Sequence, residues 1–253
     1  MVAIWLAGFL IAGFLPLPAP SANAHTVAGM YAEDRLSIRF GLVLTVACSG
    51  LLAPFIGVIS AQLKRIEGPH SPLTYAQIAL GALLIIEFVY PMMILQVAAY
   101  RGERSDEAVQ LLNDLGWILF VGVVCTAIMQ MLVIAVVILQ DQRPTPIFPR
   151  WAGYLNIWSA LLITASSVIP FFKTGPFAWN GLVAWWIAVT AFAIWLFVMA
   201  YLLIKAINRQ ETESNQSDEE AEPATRAEVD QLRRELADVR AALSRISAAT
   251  AAS

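Results

Sequence analysis

The chain has 253 residues, 58% of them hydrophobic and 14% charged, with a formal net charge of −3 and a mean hydropathy of +0.66. No ordinary soluble domain of this length is so apolar, which places it among polytopic membrane proteins. The charge is spread over short connections and an acidic tail, and no basic tract points to a nucleic-acid partner. Cys48 and Cys125 lie in apolar runs, where a thiol packs as a small hydrophobe. His25 and His70 fall outside those runs, so the four do not make a zinc set.

Residues 2–17 are apolar and are followed by Pro16, Pro18 and Pro20 and by an A-x-A pattern ending at Ala24. A signal peptide would carry a positive charge before its apolar core, and this segment has none, so a retained first helix is expected. Residues 25–39 are polar and suit a short surface helix. A second span is expected over residues 40–63, kinked where Pro54 frees the carbonyl of Gly50.

The third span, residues 74–100, carries Glu87 near its middle and Pro91 four residues later. Proline has no N–H and its ring crowds the preceding turn, so the Glu87 carbonyl loses its usual helical partner at the depth of its own carboxyl group. Ser105, Asp106 and Glu107 look like a helix start, with a capping hydroxyl and acids in the first turn. The fourth span, residues 115–139, holds Thr126 and Gln130 near its centre. An extended turn with three prolines over residues 141–150 leads to the fifth span, residues 151–172. The sixth, residues 177–204, contains Trp179, Trp185, Trp186 and Trp195, read as packing and interfacial residues rather than an aromatic cage.

Residues 208–224 are too polar and charged to bury a core and read as an acidic disordered linker. Thr225 and Glu228 then fit a capping box, and apolar residues recur at Val229, Leu232, Leu236, Val239, Leu243 and Ile246. With Val229 at heptad position a, Glu228 and Glu235 fall at g and Arg233 and Arg240 at e, which matches g-to-e pairing in a parallel dimer. Self-association through residues 225–247 into a homo-oligomer is expected, and residues 248–253 read as a disordered tail. The competing reading is a surface helix docked on lipid or protein, because three heptads are short for independent stability.

The expected fold is thus all-α: a polytopic transmembrane bundle of about six helices over residues 1–207 with a C-terminal cytoplasmic coiled-coil helix. Inner connections would carry Lys64, Arg65, Arg143 and Arg150, joined by Lys205 and Arg209, against Arg35, Arg39, Arg101, Arg104 and Lys173 outside. This small excess leans to a cytoplasmic tail in a bacterial inner membrane.

Glu87 is the one Asp, Glu, Lys, Arg or His within the five clear spans. The candidate intramembrane polar site is Glu87 with Tyr90, Gln130 and Thr126. It reads either as a proton or cation site in a small transporter or as a neutral acid sealing a helix junction. Catalytic, cofactor and metal residues are not expected. Haem or di-iron chemistry needs histidines at the helices, and neither a G-x-x-x-x-G-K nor a G-x-S-x-G sequence occurs.

The sequences GFLPLPAP, PFIGVISAQLKRIEG, LLNDLGW, IFPRWAGYLNIW and FFKTGPFAWNG resemble a family of mainly actinobacterial, multi-helix integral membrane proteins of no established activity. The resemblance spans roughly residues 8–207. It implies a shared membrane domain and a retained N-terminal segment, and it carries over no catalytic residue. The functional expectation is a non-catalytic scaffold or accessory subunit, with a lipid bilayer, further copies of itself and an unidentified membrane protein as partners. A proton-linked transporter or hydrophobic-ligand binder using Glu87 is the alternative, and a membrane enzyme comes last.

Overall fold

The computed structural model describes the backbone of residues 1–251 and, beyond Gln216, the side chains of residues 229–236 and Arg240. Among the described residues the regular structure is helical throughout. The α-helices are α1 (Val2–Ile11), α2 (Ala24–Glu33), α3 (Arg35–Ser49), α4 (Leu52–Glu67), α5 (Pro72–Tyr100), α6 (Asp106–Gly122), α7 (Cys125–Gln140), α8 (Arg150–Thr164) and α9 (Ala188–Ala251). A 3₁₀ segment, Ala165–Phe171, extends α8, and a π-helical stretch, Leu182–Ile187, leads into α9. One compact unit comprises Met1–Leu203 and a second begins at Ile204.

Five segments are long and apolar enough to cross a bilayer: Arg35–Glu67, Pro72–Tyr100, Asp106–Gln140, Arg150–Phe171 and Leu182–Gln216. The expected sixth crossing, the first apolar segment, is not among them. Helix α1 has ten residues, about 15 Å of rise against a hydrocarbon core of about 30 Å. It stops because Gly13 takes φ +68° and three prolines follow. It is nonetheless part of the core, since Phe9 and Phe14 are fully buried. A Cβ built on Gly8 would lie 2.6 Å from the Gly41 carbonyl oxygen, so α1 and α3 meet backbone to backbone, as small residues allow in membranes.

Helices α3 and α4 pack on α5, which also lies against α6 and α7, while α7 packs on α8 and α2 on α6. The kink expected near Gly50 is present as the break between α3 and α4. Ser105 caps α6 as expected, its hydroxyl accepting from the Ala108 N–H at 3.4 Å. The fourth span departs from a continuous helix: Val123 takes ψ 89° and interrupts it before Cys125. Two consecutive β-branched valines follow Gly122, a local sequence of weak helix preference. Helix α9 continues through residues 208–224, where the composition suggests a disordered linker, and through Thr225, where it suggests a new helix start. The side chains of Thr225 and Glu228 lie outside the described residues, as do residues 252 and 253.

Polar contacts tie the connections at one end of the first unit together. The Trp179 indole N–H donates to the Pro18 carbonyl at 2.8 Å, the Gln110 amide donates to the Ala22 carbonyl at 3.0 Å, and His25 Nδ1 lies 3.0 Å from Asp106 Oδ2. At the opposite end, Glu67 accepts from the Leu73 N–H at 3.1 Å and from the Thr74 N–H at 2.6 Å. It thereby supplies the cap that Ser71 does not give α5. Asp141, 5% exposed, accepts from the N–H groups of Arg143 and Ile147 at 3.2 and 2.9 Å and so holds the proline-rich turn.

Candidate functional site

Glu87 lies halfway along α5, on the side that packs against α7. Its carboxyl oxygen Oε1 accepts a hydrogen bond from the hydroxyl of Thr126, the second residue of α7. The acid therefore meets the protein just beyond the interruption of the fourth span, where the helical ladder restarts. One turn further along α7, Gln130 is 1% exposed, and neither its amide nitrogen nor its amide oxygen has a partner among the described residues. Two of the three expected neighbours of Glu87, Thr126 and Gln130, thus lie on one helix facing α5.

The third does not join them. Tyr90 is 64% exposed and makes no hydrogen bond among the described residues. Three residues along a helix is a rotation of about 300°, enough to leave the phenol on the outer face while Glu87 turns inward. The Thr126 hydroxyl comes from the packed neighbour and needs no such rotation.

Aromatic rings surround this junction. Phe88 meets Trp5 and Phe120 edge-on at 5.9 Å each and lies 5.7 Å from Phe192. Trp185 lies 5.8 Å from Phe120, and Trp195 meets Phe55 edge-on at 5.9 Å. The tryptophans of the last span are spread through the packing: Trp179, Trp185 and Trp195 are buried at 5, 6 and 1% exposure while Trp186 is 45% exposed.

Two buried amides organise the bundle and escape a search for charged residues. Asn156 on α8 accepts from the Trp195 indole N–H at 2.7 Å and donates to the Ala152 carbonyl at 2.8 Å. Asn113 on α6 accepts from the Tyr31 hydroxyl at 3.2 Å and from the Trp117 indole at 3.0 Å. Burial, with the Asp114 carboxylate second, pushes the Tyr31 phenol above its ordinary range, so it stays a donor. An asparagine in an apolar run with tryptophan or tyrosine elsewhere is the sequence signal for such nodes.

Gln77 on α5 and Ser60 on α4 form a third link. The Ser60 oxygen lies 2.8 Å from the Ile56 carbonyl and 2.5 Å from Gln77 Oε1. A hydroxyl has one proton. With that proton on Ile56, the Gln77 amide satisfies the pair by presenting its NH₂ to Ser60.

Cys48 and Cys125 are free thiols. Among the described residues no group of three or more His, Cys, Asp or Glu side chains is placed to hold a metal ion. One surface groove runs along the C-terminal helix and another lies between α3 and α5; neither borders Glu87.

In the C-terminal helix, Val229, Leu232 and Leu236 are 41, 62 and 55% exposed. They line one groove together with Arg233 and Arg240. The remaining positions of the expected oligomerisation seam, Val239, Leu243 and Ile246, have side chains outside the described residues.

These features define an all-α, multi-pass membrane protein. No family model, no curated protein and no solved structure matches the chain.

Proposed function

We propose that this is a non-catalytic integral membrane protein, a scaffold or accessory subunit of a membrane assembly, that self-associates through its C-terminal helix. The observation that carries this reading is the uncovered stripe of Val229, Leu232 and Leu236, flanked by Arg233 and Arg240. Leucines and valines at a and d with arginines at e are what a parallel partner helix would cover. A parallel coiled coil gathers chains whose tails leave the membrane on the same face, which suits a homo-oligomer in a bacterial inner membrane with its tails in the cytoplasm. Deleting residues 225–253 and measuring the mass in mild detergent tests the proposal. A fall to the monomer mass is expected, and an unchanged mass overturns it.

One observation favours a second reading. Glu87 bonds to Thr126 beside a helix interruption, with the Gln130 amide, unpaired among the described residues, one turn on. Acids at broken helices are where small carriers hold protons or cations. In that reading both Glu87→Gln and Glu87→Ala abolish pH-driven uptake into proteoliposomes. As a packing acid, Glu87 tolerates Gln.

A further inference from the structure

The second groove lies within the first unit, and Glu87 is not among its lining residues. Phe40 and Val43 of α3 face Met93 and Val97 of α5 across about 420 Å³, and all four are exposed on segments long and apolar enough to cross a bilayer. Arg39 lines its mouth, its guanidinium 5.6 Å from the centre of the Tyr100 ring; the guanidinium of Arg101, which is not part of the lining, stands 5.7 Å from the same ring. Neither arginine is in an ion pair among the described residues, although Glu103 follows on the same connection. Gln96 lines the groove one turn before Tyr100 and has no hydrogen-bond partner among the described residues.

We propose that this groove is a binding site for one anionic phospholipid. An acyl chain fills the space between Phe40, Val43, Met93 and Val97. The phosphate sits on Arg39 and Arg101, whose planar, multi-donor forks match phosphate oxygens. The Gln96 amide, about 6 Å deeper by helix rise, donates to an ester carbonyl of the glycerol backbone. Arg39 and Tyr100 stand toward the mouth and Val43 and Met93 deepest, with Phe40, Gln96 and Val97 between them, so charge gives way to hydrocarbon along the groove as it does along a phospholipid from headgroup to tail. A zwitterionic lipid brings its own cation against the two arginines. An apolar helix from another protein would leave both guanidiniums and the Gln96 amide unmatched.

The test is native mass spectrometry of the full chain in mild detergent, titrated with dioleoylphosphatidylglycerol or dioleoylphosphatidylcholine. A surface arginine contributes about fivefold to anionic-lipid binding, so two give a preference of about 25-fold for the glycerol lipid. Arg39→Gln with Arg101→Gln brings the two lipids level. Arg39→Lys keeps most of the preference, and Val43→Trp, which fills the groove and leaves the charges, removes binding of both. Each variant is first shown to be monodisperse with wild-type helicity. The wild-type comparison decides alone if a variant does not fold: equal binding of the two lipids overturns the site. So does unchanged binding in Val43→Trp, or full competition by glycerol 1-phosphate, which would mark a free-anion site without a chain.

Discussion

Replacing Glu87 separates a packing acid from a proton carrier, and the structure fixes what each replacement removes. Its Oε1 accepts from Thr126 across the α5–α7 interface. Glu87→Gln keeps an oxygen in that place, Glu87→Ala removes it, and Thr126→Val removes the donor with little change of shape. Hydrogen bonds between membrane helices contribute about 0.6 kcal/mol on average and up to about 1.7. Glu87→Ala should therefore destabilise by about 0.6–1.7 kcal/mol, about 3- to 18-fold in the unfolding equilibrium. Glu87→Gln should stay within about 0.5 kcal/mol of wild type. The Glu87→Ala and Thr126→Val changes should be non-additive by the value of the bond, whereas the Thr126→Val cost persists in the Glu87→Gln background. Unfolding by sodium dodecyl sulfate in mixed micelles, followed by tryptophan fluorescence from the eight tryptophans, reads all four corners of the cycle. Strict additivity of Glu87→Ala with Thr126→Val would refute the bond as a packing element. A Glu87→Gln cost equal to that of Glu87→Ala would show that the acid's proton matters rather than its oxygen.

Other substitutions probe the supports of the site. Asn156→Leu leaves the Trp195 N–H unpaired in the core and should cost about 1–3 kcal/mol. Adding Trp195→Phe should recover part of that loss in the same unfolding assay. Gly41→Val forces a side chain into the Gly8 backbone, and overpacking of this kind costs about 1–3 kcal/mol. Limited proteolysis of residues 12–23 should accelerate as α1 loosens, and an unchanged digestion rate would contradict the backbone contact. Glu67→Ala removes the cap of α5, worth about 1 kcal/mol. Hydrogen exchange at Leu73 and Thr74 should then quicken about fivefold, with Glu67→Gln close to wild type.

How far the sequence reaches depends on whether a feature is local. The Ser105 cap, the break near Gly50 and the central position of Glu87 follow from neighbours within one or two turns, and each is where local chemistry puts it. The partner of Glu87 is a tertiary fact. Helical proximity suggests Tyr90 and mid-span depth suggests Thr126 and Gln130, and helix packing selects Thr126. Length misleads at the N-terminus, where the apolar run continues past Ile11 but the helix does not, because Gly13 and three prolines end it. The interruption at Val123 has no proline to announce it, and Asn156 carries no charge, so a survey for ionisable groups passes over both.

The Glu67 cap bears on how the chain enters the membrane. The carboxylate at the end of α4 serves the first amides of α5, so the turn over residues 68–71 closes its hydrogen bonds within two consecutive spans. A pair that satisfies its own turn can enter the bilayer as a hairpin, before α7 arrives to meet Glu87. The acid would then cross into hydrocarbon ahead of its Thr126 partner, and the fourth span would complete the site as it is laid down.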